Sequence, residues 1–316
     1  MGMRAVLCPD PGQIGEDPAA LFQHHAGAAE RRLIFGWGLH IMRRSPKNDK
    51  GDREKGGAWP APPAREMIKC YLFDLDGTVY LGGRLIPGAK ETLARLAKTS
   101  EVCFLTNNSS RSKAEYLQKL HSLGLDCDER HLISSLDSAV RFLQKSGRTR
   151  KVFALATPGV KAELAERGIE LVEEGAETVL ATYDTAMTYQ SLTNCCLQLR
   201  AGAFFCATHP DLNCPSERGP LPDLGSLFAL IEASTGRKPD VVCGKPFPLM
   251  AETVRERFGL DPAEIAMVGD RLTTDIPFGL ENGFFTVLVL TGESDRAMLE
   301  ASSLRPHAVL NSLNEL

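Results

Sequence analysis

Tyr71-Leu72-Phe73-Asp74-Leu75-Asp76-Gly77-Thr78-Val79 is an apolar run that stops on two carboxylates one residue apart, followed at once by a glycine and a threonine. The run before the acids predicts a buried strand over residues 68–73. A strand that ends in paired acids and a glycine turn is a place for chemistry, because ligands of open α/β sheets bind beyond the C-terminal ends of strands. Two neighbouring carboxyls in different surroundings can be pushed to different pKa values and take different roles.

Beyond this run, strand and helix patterns alternate. The region 77–86 reads as a small hairpin flap that turns at Gly82-Gly83. Further strands are expected at 102–106, 151–156, 178–183, 203–208, 265–269 and 285–290. Helices are expected at 89–98, 113–123, 136–144, 160–167, 189–200, 224–235, 248–258 and 275–282. Alternating β and α segments argue for a doubly wound parallel sheet with helices on both faces.

Residues 1–66 read differently. They hold both tryptophans, Trp37 and Trp59, show no lasting period and end in the linker-like Gly56-Gly57-Ala58-Trp59-Pro60-Ala61-Pro62-Pro63. Met67 opens directly onto the first strand. The expectation is that 1–66 is a disordered extension or a mis-called start.

The composition of the 316 residues, 43% hydrophobic and 24% charged, is that of a globular protein. A net charge of −4 gives no electrostatic case for nucleic acid or for an anionic membrane surface. No run approaches the ~18 apolar residues of a membrane span. The nine cysteines form no Cys-x-x-Cys pair and sit mostly in apolar runs, so free thiols in a reducing cytoplasm are expected.

Four short segments concentrate polar chemistry at strand ends: Asp74-Leu75-Asp76-Gly77-Thr78, Thr106-Asn107-Asn108-Ser109-Ser110, Gly244-Lys245-Pro246 and Gly269-Asp270-Arg271-Leu272-Thr273-Thr274-Asp275. Each alone reads equally well as a turn or a helix cap. Together they place acids, hydroxyl and amide donors, one lysine and more acids on one sheet edge. That set suits phosphoryl transfer. Hard carboxylate oxygens suit Mg²⁺. Thr106, amides near Asn107 and the Lys245 ammonium can neutralise phosphoryl oxygens. One carboxylate can attack phosphorus and split a hard step in two.

In order and separation these segments resemble the four motifs of the haloacid dehalogenase (HAD) superfamily, across nearly all of 67–316. The insertion between the second and third segments, with Ala207-Thr208-His209-Pro210-Asp211 and Pro222-Asp223-Leu224-Gly225-Ser226, resembles the cap of subfamily IIA, the para-nitrophenyl phosphatase, phosphoglycolate phosphatase and sugar or nucleotide phosphatase group. The resemblance implies a catalytic core at 67–149 and 240–316 with an inserted α/β cap domain at 150–239. The resemblance implies a Mg²⁺-dependent phosphatase of small phosphorylated metabolites that works through an aspartyl-phosphate. It implies Asp74 as nucleophile and metal ligand, and Asp76 as general acid and base whose backbone carbonyl also touches the metal. Thr106 and Asn107 would hold the phosphoryl group, Lys245 would bridge phosphate and Asp74, Asp270 would bind the metal and Asp275 would support. Asp184, Thr208, His209 and Asp211 fall in cap loops that face the site in this subfamily, and His209 stands where many relatives carry Asn; of these, His209 and Asp211 are taken as substrate-binding candidates. A phosphomutase, or a catalytically idle binding or regulatory module on the same fold, remain as alternatives. Pairing of two copies through the cap is a further expectation.

Overall fold

The computed structural model describes residues 67–216 and 218–316, so the extension expected over 1–66 lies outside the described residues. Strands run as β1 (Cys70–Phe73), β2 (Tyr80–Leu81), β3 (Arg84–Leu85), β4 (Glu101–Thr106), β5 (Leu132–Ser134), β6 (Val152–Leu155), β7 (Thr178–Ala181), β8 (Phe204–Ala207), β9 (Asn213–Cys214), β10 (Leu221–Pro222), β11 (Val241–Val242), β12 (Ile265–Gly269), β13 (Phe285–Val289) and β14 (Ala308–Leu310). The helices are α1 (Ala89–Leu96), α2 (Lys113–Ser122), α3 (Ser135–Lys145), α4 (Pro158–Glu166), α5 (Tyr189–Arg200), α6 (Leu224–Thr235), α7 (Pro248–Phe258), α8 (Asp275–Glu281) and α9 (Arg296–Ala301).

Six strands form one parallel sheet in the order β14-β13-β12-β1-β4-β5. From β1 the chain builds toward β4 and β5 on one side and later toward β12, β13 and β14 on the other. The order therefore reverses at β1, where a crevice opens beyond the strand ends. A second parallel sheet, β11-β8-β7-β6, belongs to the inserted segment, which through β11 runs to Val242, past the expected end at residue 239, because β11 pairs with β8. The parallel sheets flanked by helices are what the alternating pattern predicts, and the second sheet forms an inserted α/β cap as the family resemblance implies.

Side chains of β1 alternate between two packed faces, as strand pleating requires. Tyr71 and Phe73 join Phe104, Val268, Leu93, Tyr116 and Leu120 on one side. Cys70 and Leu72 join Cys103, Leu105, Met267, Met250, Val254 and Phe278 on the other. All four β1 residues are buried, which explains a near-continuous apolar run in place of a polar-apolar alternation. Burying each such side chain stabilises the fold by roughly 1.5–3 kcal/mol. In the cap, Val152, Ala154, Leu180 and Cys206 pack against Val160 and Leu164 of α4 and against Leu136 and Val140 of α3. Among the described residues no helix is long and apolar enough to cross a membrane.

Candidate active site

β1 lies between β12 and β4, with Phe73 level with both Val268 and Phe104. The residues that follow these strands therefore converge. Asp74 leaves β1, Thr106 ends β4 and Asp270 leaves β12. Lys245 comes from elsewhere, on the chain that returns from β11 of the cap to α7 of the core.

Lys245 is 1% exposed, and its Nζ donates to Asp74 Oδ1 at 2.5 Å, Asp275 Oδ1 at 2.7 Å and the Leu105 carbonyl at 3.1 Å. Burial works against its charge, but the Asp275 and Asp74 carboxylates hold its pKa above the ordinary lysine value. The Asn107 carboxamide fixes its backbone from both sides: Lys245 N–H donates to Oδ1 at 2.8 Å, and Nδ2 donates to the Lys245 carbonyl at 2.9 Å. Gly244 permits this approach, since a Cβ there would stand 2.6 Å from Asn107 Oδ1 and 2.7 Å from the Thr208 carbonyl. The Asn107 side chain thus secures Lys245, while Thr106 Oγ1 accepts from the Asn108 amide at 3.1 Å.

Asp270 is locked in turn. Thr78 Oγ1 donates to its Oδ1 at 2.9 Å and the Glu293 amide to its Oδ2 at 2.7 Å. Gly77, at a positive φ of 91°, clears room for it, because a Cβ would fall 2.5 Å from Asp270 Oδ2. Asp275 Oδ2 accepts from the Arg271 amide at 3.1 Å, so both its oxygens are held.

Asp74, Asp270 and Asp275 each offer an oxygen within 4.8 Å of the others. Burial pushes the Asp74 carboxyl well above the usual carboxylate range; Lys245 opposes the shift while Asp275 and Asp270 add to it. Three buried carboxylates against one ammonium leave the cluster negative. Asp74 Oδ2 accepts no hydrogen bond from any described residue. A set of hard oxygens with excess negative charge fits a divalent cation. The Asp76 side chain stands apart from this group: Tyr80 Oη donates to its Oδ2 at 3.2 Å. Burial raises the Asp76 carboxyl, against the pull of Lys119 and Tyr80, and so favours its protonated form.

The cap closes over these groups. Asp74, Asp76, Thr106, Asn107, Lys245 and Arg271 of the core, with Asp211, Cys214, Pro215 and Asp223 of the cap, line one cavity of about 30 Å³. Asp211 takes the Asn107 Nδ2 at 3.1 Å and pairs with Arg271 Nη1 at 3.3 Å. Arg271 Nη2 also donates to the Asn213 carbonyl at 3.3 Å. Ser109 Oγ and Thr208 Oγ1 are hydrogen-bonded at 2.8 Å, and the Tyr183 amide donates to Ser109 Oγ at 3.0 Å.

His209 does not reach the cavity. It is fully buried one layer behind, with its Nε2 2.9 Å from Asp223 Oδ1 and its Nδ1 3.1 Å from Thr208 Oγ1. Burial disfavours its charged form, yet the Asp223 carboxylate prevails and raises its pKa. The acid in front of it, Asp223, lines the cavity instead. Asp184 is buried too, with its Oδ1 bonded to the Ala186 amide rather than lining the cavity. The sequence reading passed over Asp223, Arg271 and Tyr80 as site residues. Arg271 carried a signal, as a basic residue directly after Asp270. Asp223, directly before the helix expected at 224–235, carried no such signal.

Residues 71–170 match the family model described as haloacid dehalogenase-like hydrolase, and residues 242–316 match a second, HAD-hydrolase-like model. An acid sugar phosphatase of Staphylococcus aureus is 33% identical over 252 residues, 79% of this chain and 97% of that protein. Among solved structures, 4-nitrophenylphosphatase from Thermotoga maritima is similar with a TM-score of 0.77 and 40% identity, over 79% of this chain and 96% of that one. Glycerol phosphate phosphatase from Mycobacterium tuberculosis, in complex with calcium, is similar with a TM-score of 0.71 and 31% identity, over 78% of this chain and 74% of that one.

Proposed function

The chain belongs to the haloacid dehalogenase-like hydrolases, subfamily IIA, and is a phosphatase; from that premise we propose that it is a Mg²⁺-dependent hydrolase of small phosphorylated metabolites that works through phosphorylated Asp74. The observation that carries the finer reading is the placement of Asp74. It ends the central strand with one oxygen on Lys245 and the other without a described partner, beside a half-buried acid inclined to hold a proton.

Asp74 Oδ2 attacks phosphorus, and the bond from phosphorus to the ester oxygen breaks. Asp76 gives its proton to that leaving oxygen, which lets an alcohol depart rather than an alkoxide. Asp76, now a carboxylate, takes a proton from water as the water attacks phosphorus. The bond to Asp74 breaks, and inorganic phosphate and free Asp74 are regenerated. Lys245 stays charged throughout and offsets the negative charge on Asp74 and the phosphoryl oxygens, with Thr106 and the backbone amides after it as further donors. Asp275 holds the ammonium in place. Asp74 and Asp270 would hold Mg²⁺, with the Asp76 backbone carbonyl, and the ion would supply charge compensation for the phosphoryl group.

Asp211 of the cap is tied to Asn107 and Arg271 of the core, and all three line the same cavity. We therefore take the cap to open for substrate and close for chemistry, with the Asp211 contacts to Arg271 and Asn107 as the latch. Eight cysteines among the described residues, none of them paired, support a cytoplasmic setting.

Asp74→Asn tests the assignment. It should abolish hydrolysis of para-nitrophenyl phosphate, and a Mg²⁺ chelator should do the same to the wild type. Full activity in either case refutes it.

A further inference from the structure

Asp223 is 3% exposed, lies in the cavity wall and is held more tightly than a helix cap requires. Its Oδ1 accepts two hydrogen bonds, from the Leu224 amide at 2.6 Å and from His209 Nε2 at 2.9 Å. His209 is itself anchored through Nδ1 to Thr208, which is bonded to Ser109 of the core loop that follows Thr106. The carboxylate is therefore fixed in one orientation. Its second oxygen, Oδ2, takes no hydrogen bond from any described residue, and no fully buried polar atom among them lacks a partner. Oδ2 is therefore not fully enclosed by protein, and Asp223 lines the cavity that also contains Asp74 and Asp76.

A buried carboxylate oxygen left open in this way accepts a hydrogen bond from whatever enters, and an entering group that lacks a donor leaves it unsatisfied. The other acidic neighbours in the wall, Asp76 and Asp211, add negative charge, while the guanidinium of Arg271 is already bound to Asp211, Glu293 and Asn213. We infer that Asp223 is a specificity-determining residue that accepts a hydrogen bond from a hydroxyl of the leaving group and selects phosphate esters of neutral, hydroxylated carbon chains over esters whose leaving group carries a carboxylate. The inference rests on the phosphatase reading above and narrows it to a substrate class. His209 is a positioning residue, since it acts only through Asp223.

Three probe esters separate the possibilities. Glycerol 3-phosphate presents hydroxyls, 2-phosphoglycolate presents a carboxylate, and para-nitrophenyl phosphate presents neither. The full chain should show a kcat/KM for glycerol 3-phosphate at least about tenfold above that for phosphoglycolate. Asp223→Asn keeps the helix cap and both hydrogen bonds to Oδ1, but turns an N–H donor into the cavity. Glycerol 3-phosphate should then lose about 10- to 100-fold more kcat/KM than para-nitrophenyl phosphate does, and phosphoglycolate should gain relative to both. Asp223→Ser, which caps but offers no second oxygen, should lose the glycerol 3-phosphate preference without that gain. An equal fall on all three esters in both variants would make Asp223 structural and overturn the inference, as would a wild type that prefers phosphoglycolate. Absence of hydrolysis of every ester by the wild type would overturn the phosphatase reading itself, and the inference with it.

Discussion

Lys245→Met removes one charge from the centre of the site at little change in side-chain volume. The ammonium is 1% exposed and contacts Asp74, Asp275 and the Leu105 carbonyl. Removing one partner of a buried ion pair costs about 3–5 kcal/mol, because the remaining charge stays buried and unpaired. Here two carboxylates share the lost partner, so the upper end, about 5 kcal/mol, is expected near pH 8 in the presence of a chelator. At roughly 2–4 °C per kcal/mol for a chain of this size, the Tm should fall by roughly 10–20 °C. The pH dependence has a definite sign. The Asp74 carboxyl is already raised by burial, and losing Lys245 removes the main influence that lowers it. A carboxyl whose folded pKa exceeds its unfolded value stabilises the fold below about pH 4 and loses that contribution as the pH rises through the folded value. The variant should therefore recover stability relative to wild type as the pH is lowered from 8 toward 5. Thermal unfolding of both proteins across that range is the assay. A variant that matches wild-type stability at pH 8, or whose deficit does not shrink on acidification, would mean that Lys245 does not offset the buried Asp74 and Asp275 carboxyls.

Two further perturbations probe the cap and the frame beneath it. Arg271→Gln removes the contacts to Asp211 and Asn213, so amide hydrogen exchange over residues 208–223 should quicken and kcat/KM should fall about 10- to 100-fold; unchanged exchange would remove Arg271 from the latch. Asp137→Asn keeps the cap of α3 but loses the pairs with Lys113 at 2.8 Å and Arg167 at 3.0 Å, at a cost of about 1–3 kcal/mol. Burial opposes ionisation of Asp137, but Lys113 and Arg167 hold its carboxyl below the usual range. Its contribution is therefore present above about pH 4 and fades as the pH falls through that lower folded value, so the gap between variant and wild type in urea unfolding should close in acid.

The core of the site was legible because each piece is a local event: an apolar run that breaks onto acids at Asp74 and at Asp270, a polar cluster after Thr106, and Lys245 pinned between Gly244 and Pro246. Strand ends announce themselves in this way when both faces of the sheet are buried. The expected strands at 102–106, 151–156 and 203–208 correspond to β4, β6 and β8, with ends shifted by a residue or two. β5, β9, β10 and β11 are two or three residues long, too short for any period to show. The cap half of the site was harder to read because its meaning lies in pairings across the chain. His209 and Asp223 are 14 residues apart and meet only when α6 docks under the cap loop. Seen alone, the histidine invites a substrate contact and the aspartate a helix cap, yet the fold gives the cavity to the aspartate. The role of Asn107 was likewise invisible, since its partner Lys245 lies 138 residues away.

The proposed reaction requires phosphorylation of Asp74, and Asp76→Asn should make that intermediate visible. Para-nitrophenolate leaves without needing a proton, so the variant should still transfer the phosphoryl group from para-nitrophenyl phosphate but lack the base that activates water. Acid quenching within the first turnover, followed by peptide mass mapping, should find a phosphoryl adduct on Asp74. An adduct on any other residue, or no adduct while the variant continues to release nitrophenolate, would contradict the account.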